Sequence, residues 1–541
     1  MARRLMLLWG SLLFLIFSGT AGADVPPPLY AGLGALHHVV TTRSPAAQKY
    51  FDQGLKLCYA FNHDEAIRAF REVVRLDPSC AMGHWGIAYA LGPNVNLPVD
   101  PDREKEAFSE VRKARSLGVK ATARERGYIE ALVRRYSDDP RADLHALDVA
   151  FADAMRGLSA KYPDDLDASV IYAEALLDVK PWDWWTRDGK PQQGTVEAIE
   201  ALTRVLRKNP SHIGANHLYI HAIEESPNPA RALPAANRLP ALAPNAGHLV
   251  HMPSHIYMLL GRYHQAAELN RKAIGIDLAY IEKEKPQGVY PHMYLSHNMH
   301  MAWAAMSFEG RSKEAIRMAR MLADRVPVEA VRSMPPMEFW LPIPYFALAR
   351  FAKWDEILRE PAPAQDMRYT KGMWHYARGM AFAATGKPDD AAIERDSLAA
   401  IAAATPPEAM AGLNLAAALL KLAASVLNGE CAVRAGRHEE AIQSFRSAVA
   451  EEDSLHYDEP PAWYYPVRQS LGAALLKAGK PADAEAVYRT DLKRYPDNGW
   501  SLYGLAEALN ARGRVSEGLK VKKRFARAWA RADVKLSGSV L

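Results

Sequence analysis

Cysteine is nearly missing from this chain: Cys58, Cys80 and Cys431 are the three present in 541 residues. Three scattered thiols make no disulfide framework, and they read as small buried residues. A strong charge of one sign is lacking too. Lysine and arginine number 67 against 62 aspartates and glutamates, a net charge of +5. That balance is too weak and too mixed to point to nucleic acid. Beyond the first residues no uninterrupted apolar run is long enough to cross a bilayer. The short signatures of common chemistries are also missing. There is no Gly-x-Ser-x-Gly elbow, no Walker loop, no Cys-x2-Cys, no His-Glu-x2-His and no dinucleotide fingerprint.

What the N-terminus does hold is Arg3 and Arg4, an apolar run from Leu5 to Phe17, and the small residues Ala21-Gly22-Ala23. This reads as a signal peptide over residues 1–23, cut before Asp24. The expected location is periplasmic or secreted, with no membrane span in the mature chain.

The body of the chain repeats. In residues 46–80, numbering 34 positions from Ala47, Gly54 takes position 8, Ala66 position 20, Phe70 position 24 and Pro78 position 32. Apolar residues recur at helical period, small residues stand where two helices would cross, and Asp77-Pro78 is a stop. Copies begin again at Ala81, more loosely over 121–180, and near Ile213, Gly247, Ser296, Glu338, Gly372, Leu422, Tyr465 and Gly499. Gly261 and Gly310 mark turns, and Gly472, Ala484, Tyr488 and Pro496 return to their repeat positions. The pattern resembles the tetratricopeptide repeat over most of residues 46–530. The resemblance implies an all-α fold, a right-handed α-solenoid of about ten helical hairpins with loop insertions. The sections are then an N-terminal segment at 24–46, repeats at 47–212 with an insertion at 180–200, histidine-rich repeats at 213–330, and C-terminal repeats at 331–541. The insertions at 180–200, 281–295 and 451–464 are rich in Trp, Pro and Tyr. Such loops fold over one face and often carry function. Trp182, Trp184 and Trp185 read as a lid or packing anchor, with a substrate platform as the sharper alternative.

Nine of the 18 histidines fall between Gly214 and Met301, seven of them in three bursts: His217 and His221; His248, His251 and His255; His297 and His300. His217 and His251 are 34 residues apart, as are His221 and His255, so both pairs take positions 5 and 9 of consecutive repeats. At about 100° per residue, positions 2, 5, 9, 12 and 13 form one stripe. The resemblance places that stripe on a concave groove. Glu224 and Glu225, with Glu174 and Asp178 one repeat earlier, fall on the same stripe. Whether His37, His38 or His292 returns to the site stays open. Met252, Met293, Met299 and Met301 read as packing.

Seven imidazoles on one stripe predict bound metal, one or two transition-metal ions. One division puts His217, His221, His251 and His255 around one ion and His248, His297 and His300 around another. Imidazole and carboxylate donors exclude calcium and magnesium and leave copper as the first expectation, with zinc or iron as alternatives. Glu224 is the candidate general base or extra ligand. The expected function is a metalloenzyme, oxidoreductase before hydrolase, acting on a small molecule or peptide in the groove. The alternatives are a peptide- or protein-binding scaffold without catalysis and a periplasmic metal carrier.

Overall fold

A computed structural model describes residues 26–97, 101–286 and 288–541. The expected signal peptide at 1–23 lies outside the described residues. The chain is all-α, a succession of antiparallel helical hairpins. Its strands among the described residues are two short ones, Met410–Ala411 against Asn414–Leu415, antiparallel with Met410 opposite Leu415. The expected solenoid of helical hairpins is therefore observed. It divides into two compact units. The first holds the chain through Ile256 together with Lys272–Tyr294; the second holds Tyr257–Arg271 and Leu295–Leu541. The histidine-rich section is thus shared between units.

In the first unit, Pro45–Cys58 pairs with His63–Leu76 and Ala81–Leu91 with Pro101–Leu117. The loose stretch at 121–180 resolves into a hairpin of Ala123–Val133 with Leu144–Lys161, followed by Leu166–Asp178. That helix pairs with Thr195–Lys208 across the tryptophan insertion. Ile213–Glu224 and the broken helix Gly247–His251, Pro253–Leu259 then carry the first two histidine bursts. The break has a simple cause. Pro253 has no N–H to offer the preceding turn.

Helix starts are set by side-chain caps: Ser44 accepts from the Ala47 N–H at 3.2 Å, and Thr122 with Glu125 forms a reciprocal capping box. Crossings are set by small residues. A Cβ on Gly54 would lie 2.6 Å from the Phe70 ring, and one on Gly214 would lie 2.7 Å from the Tyr59 ring. Ahead of the hairpins, the N-terminal segment is tied down through Gly32, whose carbonyl accepts from the Asn245 N–H at 3.1 Å.

The turn between the two helices of a hairpin has a recurring form. Its residue in the left-handed region is glycine at Gly261, Gly310, Gly386, Gly436, Gly479 and Gly513, with φ between 70 and 76°. The next N–H in each case bonds back to the last helical turn, as Arg262 does to the Tyr257 carbonyl at 2.7 Å and Arg437 to Ala432 at 2.9 Å. This is the Schellman arrangement, which suits glycine because a Cβ is disfavoured there. The first hairpin makes the same turn, with Asn62 N–H on the Leu57 carbonyl at 3.0 Å. Its left-handed residue is Phe61, at φ 55°.

In the second unit the pairs run from Leu295–Phe308 with Ser312–Asp324 to Gly499–Ala511 with Val515–Ala528. The insertion at 451–464 packs part of its length into this unit. Trp463 and Tyr464 are buried, Tyr464 stacks on Phe346 at 4.8 Å, and its hydroxyl meets that of Tyr376 at 2.8 Å. The helix Ala416–Arg434 is long and apolar enough to cross a membrane, but 56% of its span is buried, against His438–Ser454 among others. It packs within this unit.

The cysteines behave as the sequence predicts for Cys58 and Cys80, which are free and buried; Cys431 is free and half-buried.

Candidate metal centre

Five of the seven histidines lie in the first unit, on Ile213–Glu224 and on the broken helix that follows. His217, His221 and His248 each bring one ring nitrogen to a common point, all within 4.8 Å of one another. Their exposure is 0, 1 and 2%. His217 and His221 are one helical turn apart, and His248 comes from the next repeat. This differs from the division expected from the sequence: His248 joins His217 and His221. His251 and His255 approach each other, Nε2 to Nε2 at 2.8 Å. The two groups adjoin, with the His248 and His251 rings 5.7 Å apart and those of His221 and His255 5.8 Å apart.

The protonation pattern follows from the partners. His217 Nδ1 lies 2.8 Å from the Tyr59 carbonyl, which can only accept, so Nδ1 carries the proton and Nε2 the lone pair. Glu224 places one oxygen 2.8 Å from His221 Nδ1 and the other 2.6 Å from His255 Nδ1. Burial pushes the Glu224 carboxyl up, but the His255 and His221 imidazoles outweigh it and hold it down at about 2. As a carboxylate it accepts from His221 and fixes that lone pair on Nε2, while its other oxygen faces His255 at ion-pair distance. The Nε2 atoms of His217 and His248 are 3.0 Å apart, and His221 Nε2 is buried with no hydrogen-bond partner among the described residues. Burial lowers the pKa of both His217 and His221; neighbouring imidazoles add to it at His217, and Glu224 opposes it at His221.

These features fit a transition-metal ion. Imidazole nitrogens 2.0–2.1 Å from a tetrahedral ion lie about 3.3 Å apart, near the 3.0 Å between His217 and His248, and all three nitrogens lie within 4.8 Å of one another. A ligating histidine normally gives its other ring nitrogen to a carbonyl or carboxylate, as His217 and His221 do. A buried nitrogen without a partner costs about 1–3 kcal/mol, and a cation would remove that cost.

Glu224, expected as a base or ligand, lies behind the rings with one oxygen bonded to His221 Nδ1 and the other toward His255. Glu225 is held up at about 8 by burial and by the charges of Glu224 and Asp183. Glu174 and Asp178 are engaged elsewhere. The Tyr89 hydroxyl donates to Glu174, and Arg135 donates to Asp178 at 2.8 Å. Burial raises both carboxyls, Glu174 to about 7. His38 lies in a second buried cluster, with Nδ1 2.8 Å from Asp167; His212 and Tyr59 hold the other Asp167 oxygen. His37 is exposed and bonds Asp52 at 2.7 Å. His292 is half-buried, with its pKa lowered by burial.

His297 and His300 stand on Leu295–Phe308 of the second unit. His300 is buried, stacked on Trp303 at 5.4 Å, and lowered to about 3 by burial.

Aromatic walls surround the triad, and the sequence pattern did not single out their main member. Phe61 lies 4.4 Å from the His217 ring, 5.2 Å from His248 and 5.9 Å from His221. Tyr294 stands edge-on to His248 at 4.9 Å. Trp182, half-buried, stands edge-on to His221 at 5.5 Å. Its neighbours anchor the insertion: Trp184 donates to the Leu177 carbonyl and Trp185 to that of Ala222, both at 3.0 Å. The lid-or-anchor reading thus splits between residues, Trp184 and Trp185 as anchors and Trp182 as cover. Phe61 and Trp182 are both non-glycine residues at positive φ, 55 and 57°. Such conformations cost about 1–3 kcal/mol each and cluster at functional sites.

No curated protein matches this chain. Among solved structures, it is similar to the human IFIT1 dimer with PPP-AAAA at 14% identity, over 90% of this chain and 91% of that one, TM-score 0.34. The human IFIT1 dimer with m7Gppp-AAAA gives 14% identity, 91% and 92% coverage and a TM-score of 0.35. A tetratricopeptide repeat protein from Parabacteroides merdae gives 13%, 61%, 92% and 0.30. At these scores the likeness carries no argument about function. The tetratricopeptide repeat family matches residues 470–532, where Gly472, Ala484 and Tyr488 hold their repeat positions. Helical hairpins of the same kind run along the chain, so the match of residues 470–532 and the fold together are those of a tetratricopeptide-repeat solenoid.

Proposed function

We propose that the first unit carries a transition-metal centre on His217, His221 and His248, and that the protein is an exported metal-dependent oxidoreductase. The observation that carries this reading is the convergence of three buried ring nitrogens, with the Nδ1 atoms of His217 and His221 already committed to donors' work. Copper is the first metal expected, with zinc or iron as alternatives; three neutral imidazoles suit all of them. His251 and His255, sharing Glu224 with the triad, are the place for a second ion. A metal held by three imidazoles retains an open position, where it can bind and polarise a small molecule or exchange electrons with it. The protein's part is to hold the rings, fix their tautomers and exclude water. Glu224 does the first two for His221. Export, read from residues 1–23, suits a copper centre in an oxygenated compartment.

The repeat fold itself favours a second reading, a scaffold that binds a peptide. Against it stands the burial of the five histidines, which gives a peptide little to touch.

Elemental analysis of untagged protein from the exported fraction tests the proposal. We expect one to two equivalents of copper, zinc or iron, lost in His217→Ala, His221→Ala and His248→Ala with helical content retained. No metal as isolated, and none after refilling of the chelated protein, sinks the reading and turns attention to peptide partners.

A further inference from the structure

We propose that Phe61 sets the size of the molecule that the histidine triad accepts, restricting it to a ligand of two or three atoms such as dioxygen or azide. This rests on the metal centre proposed above.

The argument begins with the turn. Phe61 occupies the left-handed residue of a Schellman turn whose equivalents include Gly261, Gly310 and Gly436. A phenylalanine serving only to fill a core has no reason to stand there, because helix positions offer the same burial without strain. The ring it projects is 1% exposed and reaches all three triad imidazoles, stacked on His248 and His221 and edge-on to His217. Two residues earlier, the Tyr59 carbonyl fixes the His217 tautomer. One turn therefore does two things at the site: its carbonyl aims a nitrogen, and its ring packs against all three imidazoles.

A second boundary is Trp182, also at positive φ, half-buried and edge-on to His221. Between two uncharged rings, a ligand with a formal charge above one or with a bulky body is disfavoured by size and by desolvation. A diatomic or triatomic ligand meets neither obstacle.

The test uses the full chain loaded with cobalt(II), titrated with azide and with imidazole and followed by the visible absorption of the metal. Wild type should bind azide and exclude imidazole. Phe61→Gly, which also relieves the turn, should gain imidazole affinity by roughly tenfold or more, with azide affinity changed little. Phe61→Leu keeps an apolar core side chain and should show the same gain at smaller size, so the outcome does not hang on one variant folding. The metal-free proteins add a second readout. Phe61→Gly should melt above Phe61→Ala, since only glycine is at ease in the left-handed region. Three results overturn the inference alone: cobalt uptake with imidazole excluded from every variant, wild type that already binds imidazole, or an alanine variant more stable than the glycine one. Failure of wild type to take up cobalt, copper or zinc overturns the metal centre, and the inference with it.

Discussion

Glu224 shows how much a single buried side chain can settle. One oxygen accepts from His221 and so fixes its tautomer, and the other faces the His255 ring of the next repeat at 2.6 Å. In Glu224→Gln one acceptor oxygen remains, and an amide N–H faces the second ring. That ring must turn its proton to Nε2, where a metal would bind. We expect a loss of about 10–100-fold in metal affinity, measured by competition with a chelator. A general base would behave differently: turnover would collapse while affinity held. The second buried cluster makes a separate prediction about pH. Burial would raise Asp167, but His212 and His38 hold its pKa below the usual range. Burial would lower His38, but Asp167 holds it above its usual value. The depressed carboxyl contributes stability above its unfolded pKa of about 3.9 and loses it as pH falls. The raised imidazole contributes fully below about 6.5 and loses it as pH rises through the folded value. The cluster's contribution is therefore greatest between about pH 4 and 6.5. Asp167→Asn leaves buried rings without their charge partner and should cost about 3–5 kcal/mol there. Urea unfolding at pH 6 and pH 9 should show the gap between variant and wild type shrinking at the higher pH; an unchanged gap contradicts the assignment.

Among elements, the helix Ile213–Glu224 depends on its approach to the first hairpin's turn, and Gly214 is what permits it. A Cβ there would lie 2.7 Å from the Tyr59 ring, which is held by its hydroxyl on Asp167 and its carbonyl on His217. Gly214→Ala should cost about 1–3 kcal/mol through overpacking and should weaken metal binding by moving the Tyr59 carbonyl. Gly157, in Leu144–Lys161, is the control: its Cβ would meet nothing within 4 Å, so Gly157→Ala should stabilise by about 0.5–1 kcal/mol. Thermal melts of the two variants should move in opposite directions. This scale also shows what the sequence could disclose. Helical periodicity and the 34-residue spacing gave away the hairpins, the histidine bursts and the shared face of His217 and His221, because all three are local in the chain. The joining of His248 to that pair depends on how consecutive repeats are rotated against each other, which spacing does not report. The Tyr59 carbonyl and the Phe61 ring arrive from a turn far away in sequence, and no stripe on the histidine helices points to them. One signal for Phe61 was present all the same. It is a bulky residue at the turn address where Gly261 and Gly310 had already marked glycine as the rule. Glu224 was legible as a site residue but not as an orienting one, since its place on the stripe says nothing of which ring edge it meets.

For the molecule as a whole, a metal held by side chains from two repeats acts on folding as well as on chemistry. The triad draws on Ile213–Glu224 and Gly247–His251 and is walled by the turn after Pro45–Cys58. An ion that binds only the folded arrangement stabilises it by an amount set by its concentration over its dissociation constant, about 2.7 kcal/mol at a hundredfold excess. For a unit of this size such a gain corresponds to a rise of roughly 5–10 °C in melting temperature. Hydrogen exchange locates the effect. Peptides covering 213–224 and 247–251, together with the turn at 58–63, should slow on addition of copper or zinc, whereas peptides from Gly499–Ala511 should keep their rates. The His221→Ala variant separates this from nonspecific uptake, because it removes the nitrogen that has no other hydrogen-bond partner while sparing the helix. Metal that slowed exchange equally in that variant would be bound elsewhere, and the three imidazoles would then be a packed polar core. If the slowing vanishes with His221, stability and ligand entry are governed by the same few residues, and the strain at Phe61 and Trp182 is what the metal-bound fold holds in place.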